Sequence, residues 1–329
     1  MTIIDASPPG RSAPDRRSVD DPPTRADRVF GLATSSAGIV VFVLLLLIGT
    51  FLVLRAKGTF DSQGLSFFTR VGWRTDVVPV RIGVLGLLAG TVIVATIAVI
   101  IAVPVGTMAA LYITTYANPR LRSLLTRFVD LLAAVPSLLY GIWGSSFLGN
   151  QIVPLSRWLS RHGSWFPPFR TNEDASLTGT YFIAGVVVSL MVIPIITSIT
   201  REVFSQAPPG EKEAALALGG SRWGMVRRVV LPFGRGGIVG GAMLGLGRAL
   251  GETIAVSLLL PQGHILSIRI LQNGGGTISG FVAQRAGSDA VTVSGLMAAG
   301  LVLFVLTLLT NLIASTVIAR SRSGAEVDA

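Results

Sequence analysis

The chain has 329 residues, 50% of them hydrophobic and only 13% charged, with a mean hydropathy of +0.67 and a net charge of +10. Soluble domains carry about 25% charged residues, so the composition is that of an integral membrane protein. No cysteine is present and the two histidines, His162 and His264, are not in a His-Glu-x-x-His helix, which excludes thiol catalysis, disulfides, iron–sulfur clusters and the commonest zinc motifs.

Residues 1–30 hold five Arg, five Asp and five Pro and little that is apolar. They are expected to form a disordered cytoplasmic tail. The segment is too acidic for the n-region of a signal peptide, so the apolar run Gly31–Leu54 is expected to stay as a membrane anchor. Five further runs lack Asp, Glu, Lys and Arg or nearly so: Ile82–Pro119, Leu131–Ser156, Ala175–Thr200, Gly236–Leu260 and Ala290–Ala319. A crossing needs about 20 apolar residues, so these predict an all-α membrane protein of six transmembrane helices over residues 31–320, with a short tail at 321–329. Ile82–Pro119 is 38 residues long. Its N-terminal part or its Tyr112–Ala117 end is therefore expected at the interface or beyond it.

Six spans leave both termini on one side. If that side is cytoplasmic, 16 basic residues lie inside and 10 outside, with Arg248 inside a span. The positive-inside rule favours this orientation and gives the basic excess a role in topology instead of nucleic-acid binding.

The loop between spans four and five, residues 208–232, reads Pro208-Pro209-Gly210-Glu211-Lys212-Glu213-Ala214-Ala215-Leu216-Ala217-Leu218-Gly219-Gly220-Ser221 and ends at Leu231-Pro232. Prolines before a helix start, strong helix formers from Glu211 to Leu218, and the Gly219-Gly220 pair predict a short helix with a sharp reversal. Ser221 is placed to cap a second short helix through about Val230, ahead of Pro232. Such an elbow could lie on the lipid surface or dock another protein against its small residues.

Inside the fifth span, Arg248 and Glu252 are four residues apart. That spacing predicts an intrahelical ion pair, which would lower the cost of burying either charge. The pair could be purely structural, or Arg248 could meet an oxyanion while Glu252 orients it. Glycines at 237, 241 and 245, and at 247 and 251, read as small-xxx-small helix packing. Gly274-Gly275-Gly276 reads as a flexible outer connection.

Three segments carry a family resemblance. Glu213-Ala214-Ala215, Gly219, Val229 and Leu231-Pro232 resemble the EAA motif of ABC-importer permeases, which has Ile or a close substitute where Val229 stands. Leu132-Ala133-Ala134-Val135-Pro136-Ser137-Leu138-Leu139-Tyr140-Gly141 and Leu244 to Val256 are similar to the third- and fifth-helix signatures of PstC-type permease subunits of the bacterial phosphate importer. The fifth-helix signature usually has Met in place of Ile254. The resemblance runs from about residue 30 to 320.

It implies a type I importer permease core with a cytoplasmic coupling-helix elbow. Glu213, Ala214, Ala215, Gly219, Leu231 and Pro232 would serve ATPase coupling, and Arg248, Glu252, Thr253, Ser137 and Tyr140 would lie on the substrate path. Whether Ser137 and Tyr140 line that path or only pack stays open; Ser137 could instead satisfy a carbonyl freed by Pro136. The chain itself is expected to be no enzyme and to bind no cofactor or metal. Lys57 and Lys212 are not followed by Ser or Thr, so no Walker A loop exists, and ATP and Mg would be used by a separate chain. The implied partners are a PstA-type second permease, a PstB-type ATPase dimer and a PstS-type extracytoplasmic phosphate-binding protein, in a bacterial cytoplasmic membrane. Alternatives are a permease for sulfate or molybdate, an ion-coupled carrier or channel gated by Arg248 and Glu252, and, more remotely, a membrane hydrolase.

Overall fold

A computed structural model describes residues 25–322, apart from residues 76, 173 and 288. The helices are α1 (Arg25–Gln63), α2 (Ser66–Thr69), α3 (Leu85–Leu111), α4 (Pro119–Ala134), α5 (Ser137–Trp143), α6 (Gly149–His162), α7 (Tyr181–Ser205), α8 (Pro209–Ala217), α9 (Arg222–Met225), α10 (Leu231–Gly251), α11 (Ile254–Leu259), α12 (Ile278–Arg285) and α13 (Ala290–Arg322). A two-stranded antiparallel hairpin, β1 (Trp73–Arg74) and β2 (Arg81–Ile82), lies between α2 and α3. Five helical stretches are long and apolar enough to cross a membrane, and there are six if the bent pair of α4 and the Ser137–His162 segment counts as one span.

The chain divides into two units, residues 1–50 and 51–329. In the first, the described helix begins at Arg25, ahead of the expected Gly31, and its apolar side chains are exposed, as a lipid-facing helix requires. Most of the expected disordered tail, residues 1–24, lies outside the described residues, as do residues 323–329.

Three spans depart from simple rods. The second run opens as strand at Ile82, turns helical at Leu85 and continues past Leu111 as a π-helical turn, Tyr112–Tyr116. The surplus length is thus taken up by the hairpin at one end and an extended helix at the other. The third run breaks at Val135 and Pro136, both with ψ near the extended region, and the two halves meet at 87°. Proline pushes the preceding residue out of the helical basin, and its missing N–H ends the ladder. The fifth run starts earlier and ends earlier than Gly236–Leu260. A π-helical turn, Val226–Val230, joins α9 to α10 in one continuous helical stretch, so Pro232 does not stop the elbow's second helix. The helix then breaks at Glu252.

The second unit is built on α3, α7 and α10. Val94, Ala98 and Ala102 of α3 meet Val187, Val188, Val192 and Ile196 of α7, with Ala249 and Leu250 of α10 closing the cluster. Small residues set this approach: Gly106 lies on Ile196 and Gly185 on Ile97. Along α10, Gly237 lies against Val203, Gly241 against Ile196 and Thr200, and Gly245 against Val192, so the expected glycine stripe packs on α7. Gly247 instead faces Asn311 of α13, and nothing stands against Gly251. In lipid, where no hydrophobic drive pushes helices together, such close contact supplies the association.

A second cluster joins the hairpin to α12 and α13: Trp73 and Ile82 pack with Phe67, Leu87, Phe281 and Leu296, the Trp73 and Phe281 rings 4.9 Å apart. The Gly274-Gly275-Gly276 segment is not a free connection. Gly275 is buried against the Tyr181 ring and Gly276 against the backbone of Gly263 and the space above Gly90, positions where a Cβ would collide. Asp289 precedes α13 and accepts from the Thr292 hydroxyl (2.7 Å) and N–H (3.2 Å), which holds its carboxyl below the usual range.

Candidate functional site

Two places gather the residues singled out from the sequence. The first is the break after α10. The helix ends at Gly251, Glu252 adopts an extended conformation, and α11 begins two residues later. Glu252 is 8% exposed, and its Oε1 accepts the Ala255 N–H at 3.1 Å. The carboxylate thus caps the first turn of α11, where backbone donors have no helical partner. Its own carbonyl takes the Ser279 hydroxyl at 2.6 Å. Because the chain is no longer helical at Glu252, the four-residue spacing from Arg248 does not produce the expected ion pair. Among the described residues the ion pair present is Arg201–Asp130, at 3.6 Å. Thr253 turns its hydroxyl back to the Gly251 carbonyl at 3.0 Å and is half-buried.

Arg248 occupies the last turn of α10, where a cation complements the helix dipole. Its side chain is exposed and makes no hydrogen bond or ion pair with the described residues. Tyr140 of α5 packs against the cluster that holds Ala249 and Leu250, the residues that follow Arg248 in the chain. The Tyr140 hydroxyl donates to the Leu132 carbonyl at 3.3 Å, in the last turn of α4. Tyr140, not Ser137, therefore satisfies a carbonyl at the Pro136 break; Ser137 is half-buried at the start of α5 with no side-chain hydrogen bond among the described residues.

Irregular backbone between α11 and α12 is satisfied by side chains that sequence reading passed over. Gln262, buried and at φ 54°, donates from Nε2 to the Val256 carbonyl (3.0 Å) and accepts the Thr277 N–H at Oε1 (3.1 Å). Thr91 of α3 accepts the Ile278 N–H at 3.0 Å. Non-helical backbone survives at membrane depth only when such partners replace water. An isolated Gln directly after an apolar run and Pro261 was the available signal.

The second place is the elbow. Pro209 starts α8, Gly219 reverses the chain at φ 81°, and the Ser221 hydroxyl caps α9 by accepting the Gly224 N–H at 3.1 Å. The positive φ is why glycine stands at 219. Glu213, Ala214 and Gly219 are exposed and Ala215 half-buried, so one face of α8 is open. Leu231 is half-buried and the adjacent Pro232 exposed at the head of α10, on the same run of chain but past the turn. The elbow and the break lie at opposite ends of α10.

Residues 102–323 match the family described as binding-protein-dependent transport system inner membrane component. The chain belongs to this permease family. It is 42% identical over 294 residues to the phosphate transport system permease protein PstC 2 of Mycobacterium tuberculosis, covering 88% of this chain and 91% of that one. The PstC protein of Mesorhizobium japonicum is 37% identical over 309 residues, 91% and 92% of the two chains. Among solved structures, a bacterial ABC transporter for alginate import superposes with a TM-score of 0.51 at 17% identity, covering 89% of this chain and 99% of that one. An inward-facing methionine ABC transporter gives 0.50 at 19% identity, covering 73% and 94%. The permease fold is thus that of type I ABC importers, a multi-pass helical membrane protein whose relatives are transport subunits.

Proposed function

We propose that this permease carries inorganic phosphate through a bacterial cytoplasmic membrane, with both termini cytoplasmic, as one of two similar chains of an ATP-driven importer. The observation that carries the reading is the 42% identity, over 88% of the chain, to a phosphate transport permease. A PstA-type chain would complete the path, a PstB-type ATPase dimer would seat on the two elbows, and a PstS-type protein would deliver the anion. ATP and Mg belong to the ATPase chains; this chain makes and breaks no bonds.

In this reading the unpaired, exposed guanidinium of Arg248 meets the phosphate oxygens, a planar fork suited to a tetrahedral oxyanion. Glu252 acts differently from a counter-ion: by capping α11 it fixes the break that ends α10 beneath Arg248. Tyr140 and Thr253 border the same region, and Ser137 begins the helix that carries Tyr140. At the other end, Glu213, Ala214, Ala215 and Gly219 present the flat face of α8 to the ATPase, and Leu231-Pro232 carry its displacement into α10. Closure of the ATPase pair would drive the elbows together and turn the path outward.

The test is uptake of labelled phosphate, with labelled sulfate as control, in cells lacking the chain and after its return. Vanadate-sensitive phosphate uptake should be restored, sulfate uptake unchanged. Arg248→Gln should lower phosphate uptake by about 10- to 100-fold at equal membrane abundance, the loss of one charge-assisted contact. Normal uptake by that variant would assign Arg248 to structure, and restored sulfate uptake would move the assignment to another oxyanion.

A further inference from the structure

A cavity of about 380 Å³ lies at the elbow end, away from Arg248, between the π-turn after α3, α4, the end of α7, and α8. Three cations line it, Arg122, Arg201 and Lys212, together with one carboxylate, Glu202, and several hydroxyls. Arg122 is held by two backbone carbonyls, Nε to Ile113 (3.0 Å) and Nη2 to Thr114 (2.7 Å), which leaves Nη1 without a partner. Arg201 uses Nη2 for Ser198 (3.3 Å) and for the half-exposed Asp130 (3.6 Å), while its Nη1 is buried and unpartnered. A buried guanidinium donor with nothing to bind is costly, and two arginines fixed on the wall of one space, with Lys212 beside them, suit an oxyanion.

Glu202 narrows the choice of anion. One of its oxygens takes the Gln206 amide at 3.3 Å and the other remains an acceptor. A carboxylate repels a fully ionised anion such as sulfate, but it accepts a hydrogen bond from an anion that still carries an O–H. Inorganic phosphate keeps such a proton near neutral pH, and a phosphate monoester keeps one in the fraction that is still monoanionic.

We propose that this cavity is a second phosphate-group site, distinct from the Arg248 region, formed by Arg122, Arg201, Lys212 and Glu202. Because Lys212 belongs to α8 and Arg201 to α7, an anion held there ties the coupling helix to the transmembrane bundle. The identity of α8 as a coupling helix rests on the importer reading above; the binding chemistry does not. The phosphate group has two sources, free inorganic phosphate or the headgroup of phosphatidic acid.

The natural chain has no cysteine, so Thr126→Cys, on the cavity wall, can carry a fluorophore in the intact complex with cysteine-free partner chains. Without nucleotide or binding protein, in phosphatidylcholine nanodiscs, inorganic phosphate should shift its emission saturably, and sulfate should bind more than about tenfold more weakly. Arg201→Gln should weaken the phosphate response on the order of tenfold, and Glu202→Gln should bring sulfate to within about threefold of phosphate. Response confined to nanodiscs containing phosphatidic acid supports the site with the lipid as its source. Silence in every arm, or equal phosphate and sulfate responses that Glu202→Gln does not alter, overturns it. Should Arg201→Gln fail to assemble, the Glu202→Gln discrimination still decides. Phosphate-specific uptake beside a silent fluorophore removes the cavity assignment alone; a responding fluorophore in a chain that imports no phosphate removes the importer reading alone.

Discussion

The two ends of α10 use polar side chains in opposite ways. At the break, Glu252, Gln262, Ser279 and Thr91 are each committed to a backbone group that no helix satisfies. At the elbow, the backbone is satisfied by helical turns and one serine cap, and Glu213 and Lys212 are left with free heads. The difference follows from the solvent. Water satisfies an irregular backbone at a membrane surface, whereas in hydrocarbon each orphan N–H or C=O demands a side chain. A carboxylate inside a membrane span is therefore as readily a backbone cap as a ligand, and Glu252 caps α11.

Between those ends the helix is held by its glycine stripe, where the largest effect is expected. Gly237→Leu would drive a side chain into Val203, and the overpacking costs about 1–3 kcal/mol or more while separating α10 from α7. The complex should be recovered at much lower yield from membranes, by detergent extraction and size exclusion. Full recovery would mean that the stripe is not the seam it is argued to be. Gly251→Ala, which meets nothing, serves as the matched control and should assemble normally.

Glu252 sharpens the contrast further. Glu252→Ala leaves the Ala255 N–H unsatisfied in a buried setting, a cost of about 1–3 kcal/mol. Thermal unfolding of the purified complex should shift down accordingly. Glu252→Gln keeps an acceptor oxygen and should restore most of that stability. If the Gln variant is stable yet transports poorly, the negative charge itself works on the path; if both variants behave alike in stability, the cap is not what the carboxylate supplies. On the elbow, the comparison runs the other way. Gly219→Asp, at a positive φ, and Glu213→Lys, on an open face, should leave insertion intact and abolish phosphate-stimulated ATP turnover. Intact transport in both would favour an ion-coupled carrier, which has no use for the elbow.

Much of this architecture was written in local chemistry. The elbow was readable because Pro209, Gly219 and Ser221 act through near neighbours, and the glycine stripe because its period matches a helix face. What escaped the sequence was long-range or depended on where a helix stops. Arg248 and Glu252 share a face only if the helix continues, and between Gly247 and Thr253 the one stop signal is Gly251, which reads equally as part of the small-residue stripe; no proline is present there. The stop is stabilised by the local α11 cap and by Ser279, a contact made across the fold. Likewise Pro232 reads as a terminator, yet the wider π-turn before it lets the helix run through. Gly274 to Gly276 read as slack because their neighbours Tyr181, Gly90 and Gly263 are distant in sequence.

The smallest expected effect falls at the other broken span. Tyr140 donates one hydrogen bond of 3.3 Å to Leu132, a long contact that the partner carbonyl shares with the Val135 N–H at 3.3 Å. Tyr140→Phe removes the donor and leaves that carbonyl its backbone partner, so the cost should be about 0.5–1 kcal/mol. Phosphate uptake should fall less than about threefold if the tyrosine only closes the Pro136 break. Its ring also packs on the cluster that holds Ala249 and Leu250, next to Arg248 in the chain, and a much larger fall with unchanged stability would put it on the anion's route. A single hydroxyl thus separates two roles for the α4–α5 bend: a joint that is merely sealed, or a wall that the anion touches.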